Sequence, residues 1–166
     1  MQKGFLSLAD FPKEGMSISR DIPLEVEVFP PDVVTGIESI HLDMRLTRAD
    51  RTFHLGGRLE WKLDLACSRC LETVAMQGST DLRHMLQPAS RDPGPETFTY
   101  ADDLFDLHGL VRELIELNIP MKPLCSETCR GLCPSCGGNL NRETCACIPS
   151  GRDPRWEALK KLKEGA

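Results

Sequence analysis

Apolar and polar residues alternate with a period of two in three segments of the chain, and this pattern constrains the fold most. The segments are residues 24–28, 40–46 and 59–65. Successive side chains of a β-strand point to opposite faces, so each segment predicts a strand with one buried and one exposed face. The sequence therefore predicts an antiparallel, one-sided β-sheet.

The segments that follow predict one more strand, a loop and a helix. A fourth strand is expected from residue 72 to about residue 86, which places Cys67 and Cys70 at the tip of a hairpin. The stretch QPASRDPGPETFTY is rich in proline and glycine and predicts a loop or linker. Residues 102–118 have helical spacing, with Asp102 or Asp103 as the N-cap, and Pro120 ends the pattern.

The end of the chain predicts a short final helix. Asp153 and Pro154 are typical of the N-cap and first turn, and Trp156, Leu159 and Leu162 follow at helical spacing. We therefore expect an α+β fold with two parts. Residues 1–120 would form an antiparallel β-sheet domain with one main helix, and residues 121–166 a cysteine-rich knot with a basic C-terminal helix.

Composition and charge exclude several functional classes. The chain has 166 residues, of which 40% are hydrophobic and 27% charged, and its formal net charge is −5. A strongly basic nucleic-acid-binding domain is therefore excluded, so any RNA contact must come from a local basic patch. The N-terminal residues resemble no signal peptide, and no apolar run approaches the ~18 residues that span a bilayer. These features predict a cytoplasmic protein with reduced thiols and no membrane contact.

Eight cysteines carry the clearest chemical signal. They form two C-x₂-C pairs and four further positions: Cys67, Cys70, Cys125, Cys129, Cys133, Cys136, Cys145 and Cys147. Four thiolates satisfy tetrahedral Zn²⁺, and structural sites use all four positions. The spacing therefore predicts one or two structural zinc sites. By analogy with zinc ribbons, the favoured pairing joins the two C-x₂-C pairs in one site and leaves the other four cysteines for a second.

Three other uses of these cysteines remain open from the sequence. An iron–sulfur cluster is held by the same thiolates. A disulfide scaffold fits the even number of cysteines, although the length and the N-terminus argue against it. A thiol oxidoreductase would need a C-x₂-C pair that opens a helix after a strand, which neither pair does. No catalytic triad or phosphate-binding glycine loop is recognisable, so we predict a protein that is not an enzyme.

Five motifs follow one another from about Leu63 to Lys163: LACSRCLE, ELIELNIPMKPLC, CRGLCPSCGGNLN, CAC and DPRWEALKKLK. Together they resemble the YceD family, the bacterial and plastid large ribosomal RNA subunit accumulation proteins. The resemblance implies a non-enzymatic factor in ribosomal large-subunit biogenesis that supports 23S rRNA accumulation or processing. Its implied partners are large-subunit rRNA, its precursor or a ribosomal protein, and no small-molecule substrate is expected.

The residues expected to contact RNA lie in the only basic concentration of the C-terminal half. They are Arg130, Arg142, Arg152, Arg155, Lys160, Lys161 and Lys163. Arginine and lysine side chains bind phosphates without sequence preference. The alternative is a zinc-ribbon adaptor that binds only protein, which the acidic net charge favours.

Overall fold

A computed structural model of the chain describes residues 4–89 and 97–147, which form seven β-strands, one α-helix and a short 3-10 helix at Val26–Val28. The strands are β1 (Phe5–Ser7), β2 (Met16–Asp21), β3 (Val34–Ala49), β4 (Thr52–Ala66), β5 (Thr73–Pro88), β6 (Thr97–Tyr100) and β7 (Leu104–Asp106). The helix α1 spans Leu107–Asn118. Within these residues no helix combines the length and the apolar character that crossing a membrane requires.

Three long antiparallel strands form the centre of a five-stranded sheet with the order β2-β3-β4-β5-β6. The β3–β4 ladder runs from Val34 opposite Leu65 to Ala49 opposite Thr52, with shifts near its first residues. The β4–β5 ladder continues without a shift. β6 is parallel to β5, and β1 and β7 form a separate two-stranded sheet.

One face of the large sheet forms the hydrophobic core. Ile40, Leu42, Met44 and Leu46 of β3 are buried, and the residues between them are exposed. In β4 the same alternation runs from Phe53 to Leu65, except at Gly57, which is exposed. The core also contains the apolar face of α1: Leu107, Leu110, Val111, Leu114 and Ile115. The alternation that predicted β3 and β4 therefore marks the side chains that face the core.

The predicted α+β fold class is wrong, because the regular structure of the described residues is mostly β-strand and includes one α-helix. The large sheet is mixed rather than antiparallel, since β6 pairs in parallel with β5. β6 lies in the stretch that the sequence predicted to be a loop. Its four residues are too few to show an alternating pattern, and the prolines before them are typical of a loop. The predicted final helix lies outside the described residues.

The first predicted strand is also wrong. Residues 26–28 form a 3-10 helix, although Leu24, Val26 and Val28 are partly buried against the core as their alternation suggested. Pro23 and Pro30 lie on either side of this segment, and a proline has no N–H to donate to a sheet ladder. Alternation here identifies the inward-facing side chains and not the backbone conformation.

The helix begins later than predicted. Its N-cap is Asp106, whose carboxylate accepts a hydrogen bond of 2.9 Å from the backbone N–H of Gly109. Asp102 and Asp103 instead have left-handed backbone conformations in the turn before β7. A carboxylate that accepts from an N–H of the first turn is the usual start of a helix, so the competing aspartates account for the error. The helix ends at Asn118, two residues before Pro120, as the sequence predicted.

A glycine in β5 makes room for the Trp61 side chain in the core. Trp61 is buried and lies opposite Gly78 in the β4–β5 ladder. A Cβ atom on Gly78 would overlap the Trp61 ring. At Gly56, which lies in β4 on the exposed face, a Cβ atom would meet nothing within 4 Å. These two glycines therefore have different reasons to lack a side chain.

We expect Gly78→Ala to lower the free energy of unfolding by about 1–3 kcal/mol, because the Trp61 ring must leave its preferred position. The control Gly56→Ala should leave stability unchanged or raise it by up to about 1 kcal/mol. Urea denaturation, monitored through tryptophan fluorescence, gives the free energy of unfolding of both variants. Equal stabilities for the two variants would show that the Trp61 ring adjusts freely and would contradict the prediction.

Candidate metal centres

Four cysteines from two distant parts of the chain form a first group, here called the first centre. Cys67 and Cys70 lie in the turn between β4 and β5, and Cys125 and Cys129 follow α1. Their four sulfur atoms lie within 4.8 Å of one another. Sγ of Cys67 is 3.9 Å from Sγ of Cys129, and Sγ of Cys70 is 3.6 Å from Sγ of Cys125. The group can hold a metal ion, and Cys67, Cys70 and Cys129 are buried.

The turn between β4 and β5 presents its two sulfurs because its backbone is closed by hydrogen bonds. The N–H of Cys67 donates to the carbonyl of Glu72, and the N–H of Leu71 donates to the carbonyl of Cys67, both at 2.9 Å. Leu71 has φ +61°, a left-handed conformation that is uncommon for leucine. This closure points both cysteine side chains of the turn toward the segment after α1.

Arg69, between the two cysteines of the turn, holds that segment in place. Its guanidinium donates to the carbonyls of Glu127 and Cys129, at 3.1 and 2.8 Å. Its own carbonyl accepts from the N–H of Leu132 at 3.1 Å. Gly131 has φ +75°, and a Cβ there would lie 3.0 Å from the carbonyl oxygen of Arg69. These contacts bring Cys125 and Cys129 to the turn.

Hydrogen-bond donors within the first centre favour ionised sulfurs. Burial opposes ionisation of Cys67, but the backbone N–H groups of Cys70, Arg69 and Cys125 lower its pKa to about 6. Burial also opposes ionisation of Cys129, whose pKa is nevertheless lowered, mainly by the Asn141 side chain. The Asn141 amide nitrogen lies 3.3 Å from Sγ of Cys129. Thiolates are the form that binds metal, so these donors prepare the centre for a cation.

The protons that metal binding must displace reside on Cys125 and Cys70. The backbone N–H of Glu72 lowers the pKa of Cys70, but burial and hydrogen bonding with Cys67 outweigh it and raise that pKa. Hydrogen bonding with Cys129 and then Cys70 raises the pKa of Cys125 to about 12, because its S–H donates to sulfurs that ionise first. Metal binding therefore releases protons, and its affinity decreases as the pH falls.

A second group of four, here called the second centre, contains Cys133, Cys136, Cys145 and Cys147, whose sulfurs also lie within 4.8 Å of one another. The N–H of Gly137 donates to the carbonyl of Cys133 at 2.9 Å, and Gly137 has φ +73°. Backbone N–H groups of Cys136 and Ser135 lower the pKa of Cys133 to about 6. Only Cys133 of this centre is buried, so the second centre is far more open to solvent than the first.

The predicted pairing of the cysteines is wrong. The two C-x₂-C pairs belong to different centres. The first pair is completed by Cys125 and Cys129, and the second pair by Cys145 and Cys147. The contacts of Arg69 explain the difference, because they attach residues 125–129 to the turn between β4 and β5. That attachment leaves Cys145 and Cys147 as the partners of Cys133 and Cys136.

Asn141 connects the two centres, and the sequence analysis did not identify it. It lies between the cysteine pairs of the second centre, yet its amide donates to Cys129 of the first. Its side-chain oxygen accepts from the N–H of Arg130 at 2.7 Å, and its backbone N–H donates to Asn139 at 2.9 Å. The one available signal was a polar amide side chain in the spacer between Cys136 and Cys145.

Two of the seven residues predicted to bind RNA lie within the described structure. Arg130 is exposed beside Cys129, and Arg142 forms an ion pair with Glu72 of the β4–β5 turn. Arg152, Arg155, Lys160, Lys161 and Lys163 lie outside the described residues. The charge of Arg142 is therefore partly neutralised by the protein itself.

Comparison with known proteins identifies a family for most of this sequence. The sequence model described as "Large ribosomal RNA subunit accumulation protein YceD" matches residues 55–163, a range that includes all eight cysteines. No solved structure matches the chain.

Individual relatives come from plants and mycobacteria. "Large ribosomal RNA subunit accumulation protein YCED homolog 1, chloroplastic" of Arabidopsis thaliana is 34% identical over 59 residues, which are 36% of this chain and 18% of that protein. The protein of the same name from Zea mays is 40% identical over 53 residues, 31% of this chain and 18% of that protein. An uncharacterised protein of Mycobacterium tuberculosis is 27% identical over 134 residues, 74% of this chain and 61% of that protein. The chain thus spans less than two thirds of each relative.

We expect the metal-loaded protein to release its ions to a chelator in two phases of equal amplitude. The second centre should empty first, because only Cys133 of its four ligands is buried, whereas three ligands of the first centre are. Absorbance of a chromogenic chelator follows the release. Cys145→Ser should remove the fast phase and Cys70→Ser the slow one. A single phase in the unsubstituted protein, or loss of the same phase in both variants, would contradict the assignment.

We also expect Asn141→Asp to weaken metal binding at the first centre by about 10–100-fold, the usual effect of losing a group that supports a ligand. The substitution keeps the oxygen that accepts from Arg130 but replaces the donor to Cys129 with a negatively charged oxygen. Competition with a chelator of known affinity measures the change. Glu143→Gln, in the same spacer, is the control and should bind as the unsubstituted protein does. Equal affinities for all three proteins would show that the Asn141 amide does not support the centre.

Proposed function

Because the chain belongs to the YceD family, we propose that it is a non-enzymatic factor that supports accumulation of 23S rRNA in biogenesis of the large ribosomal subunit. The observation that carries the proposal is the family match over residues 55–163, which spans both cysteine centres. The factor acts in the cytoplasm by binding rRNA, its precursor or a ribosomal protein.

Zn²⁺ is the ion that we assign to both centres. Four ligands at about 2.3 Å from a tetrahedral ion lie about 3.8 Å apart, close to the 3.6 and 3.9 Å between sulfurs of the first centre. A four-iron cluster binds each cysteine through a different iron and so spreads the sulfurs further apart. A disulfide would need sulfurs about 2.05 Å apart, and all eight cysteines are free.

The centres support a structural role for the ion rather than catalysis. A catalytic zinc site keeps a position for water or substrate, whereas four cysteines occupy every position of a tetrahedral ion. The thiol oxidoreductase alternative is also disfavoured. Cys67 and Cys133 have lowered pKa values, but both are buried, whereas a reactive cysteine is accessible to its substrate.

A protein-binding adaptor without RNA contact is the second candidate, and the net charge of −5 favours it. RNA binding should be lost steeply with added salt, whereas an adaptor that docks through apolar contacts should respond weakly. Affinity purification from the native cells at two salt concentrations, with and without ribonuclease, distinguishes a partner held through RNA from one held directly.

Deletion of the gene should lower the ratio of 23S to 16S rRNA in the cells that normally make this protein. A plasmid copy should restore the ratio, and a copy with Cys67→Ser and Cys70→Ser should not, because the first centre attaches residues 125–129 to the sheet. Total RNA separated by capillary electrophoresis gives the ratio, and an unchanged ratio in the deletion strain would contradict the proposed function.

Elemental analysis of the purified protein should find two zinc ions per chain. Iron in place of zinc would contradict the assigned ion.

A further inference from the structure

Two arginines lie in one row across the exposed face of the large sheet. Arg45 of β3 is opposite Gly56 of β4, and Gly56 is opposite Arg83 of β5. All three are exposed, and their chain neighbours Met44 and Leu82 point into the core. Neighbouring strands are about 4.8 Å apart, so the two arginine Cα atoms lie roughly 10 Å apart. Gly56 leaves the sheet surface between the two arginines uncovered, since a Cβ there would meet nothing within 4 Å.

The charges of these two arginines are not neutralised by side-chain partners. Within residues 4–89 and 97–147, neither Arg45 nor Arg83 has a side-chain hydrogen bond or an ion pair. Arg58, in the adjacent row, contacts Glu60 at 3.3 Å and Asp81 at 3.9 Å. Lys62, further along the same face, contacts Glu38 at 3.5 Å. Four basic residues thus share this face, and two of them are free to bind an external anion.

The row on the other side of the two arginines contains no acidic residue. It consists of Thr47, His54 and Met85, which are opposite one another in β3, β4 and β5. His54 is exposed, and Met85 is 44% exposed although it is apolar. Imidazole rings are among the side chains on which unpaired bases stack. The acidic residues nearest the arginines, Asp43 and Asp81, lie on the opposite side, in the row of Arg58.

We propose that these two rows form an RNA-binding surface for a single-stranded segment, here called the arginine patch: Arg45, Gly56, Arg83, Thr47, His54 and Met85. The guanidinium groups of Arg45 and Arg83 contact phosphates of one strand, and an unpaired base lies against His54 and Met85. The inference rests on the proposed function, which supplies rRNA as the ligand, and it assigns the contact to the sheet rather than to the C-terminal basic residues.

Charge and size favour RNA over a protein as the occupant. The chain has a net charge of −5, and a row that carries two arginines and no acidic residue is a basic surface within it that matches a polyanion. A stable protein interface buries about 800 Å² on each partner around an apolar centre. Met85 is the one large exposed apolar residue of the patch. A duplex is less suitable than a single strand, because its paired bases are not available for stacking.

The test compares two double variants that remove the same charge from the same face. Arg45→Gln with Arg83→Gln removes the free charges, and Arg58→Gln with Lys62→Gln removes the charges already paired within the protein. Binding to a fluorescent single-stranded RNA of about 16 nucleotides is measured by anisotropy over a series of salt concentrations. Circular dichroism and zinc content verify that both variants are folded.

We expect the first variant to bind roughly tenfold more weakly at low salt, with the log–log salt slope reduced by about 1.4, which is the loss of two contacts with a single strand. The control variant should keep the slope of the unsubstituted protein. His54→Ala should weaken binding with little change in slope, because stacking carries no charge.

Several results would overturn the inference. They are equal losses in both double variants, tighter binding of the corresponding duplex, no RNA binding by the unsubstituted protein, or loss of binding only when Arg155, Lys160, Lys161 and Lys163 are changed to Glu. Complementation separates this inference from the proposed function. If the Arg45→Gln, Arg83→Gln protein restores the 23S to 16S ratio fully in the deletion strain, the patch is wrong while the function stands. If the deletion leaves the ratio unchanged, the proposed function itself is wrong.

Discussion

The attachment of residues 125–129 to the β4–β5 turn is the interaction on which the arrangement of the cysteine-rich residues depends. Arg69 makes this attachment through two backbone carbonyls, and the sulfurs of the first centre close it. The turn belongs to the two longest antiparallel ladders, so the cysteine segment is anchored to the most extensive hydrogen-bonded part of the protein. Asn141 then fixes the second centre relative to the first. A cation at the first centre therefore stabilises contacts well beyond its own four ligands.

The two ends of the large sheet have different chemistry. At the end that carries the β4–β5 turn, the protein concentrates sulfur ligands and the donors that ionise them. At the other end, the exposed face carries the arginine patch, close to the turn between β3 and β4. The long ladders of β3, β4 and β5 separate these two ends. The division is consistent with one region that holds the chain together and another that contacts a partner.

The sequence predicts those features of the fold that repeated side-chain patterns determine. β3 and β4 were identifiable because long strands with one buried face alternate over many residues, and β5 was expected as the second strand of a hairpin with Cys67 and Cys70 at its tip. The N-cap and the parallel strand were not identifiable. Four residues of β6 carry too little pattern, and its pairing with β5 is a tertiary contact. The eight cysteines were recognisable from their spacing, but their grouping was not. That grouping depends on Arg69 and Asn141, which bind through backbone carbonyls and a single sulfur and leave no spacing signature.

The separation of the first centre's ligands along the chain determines when this centre can form during synthesis. Cys67 and Cys129 are 62 residues apart, and Cys70 and Cys125 are 55 apart. Ribosomes add about 5–20 residues per second, and N-terminal parts fold first. The β3–β4–β5 meander can thus form while half of the first centre is still untranslated, so its ion is a late addition. The ligands of the second centre, by contrast, leave the ribosome almost together.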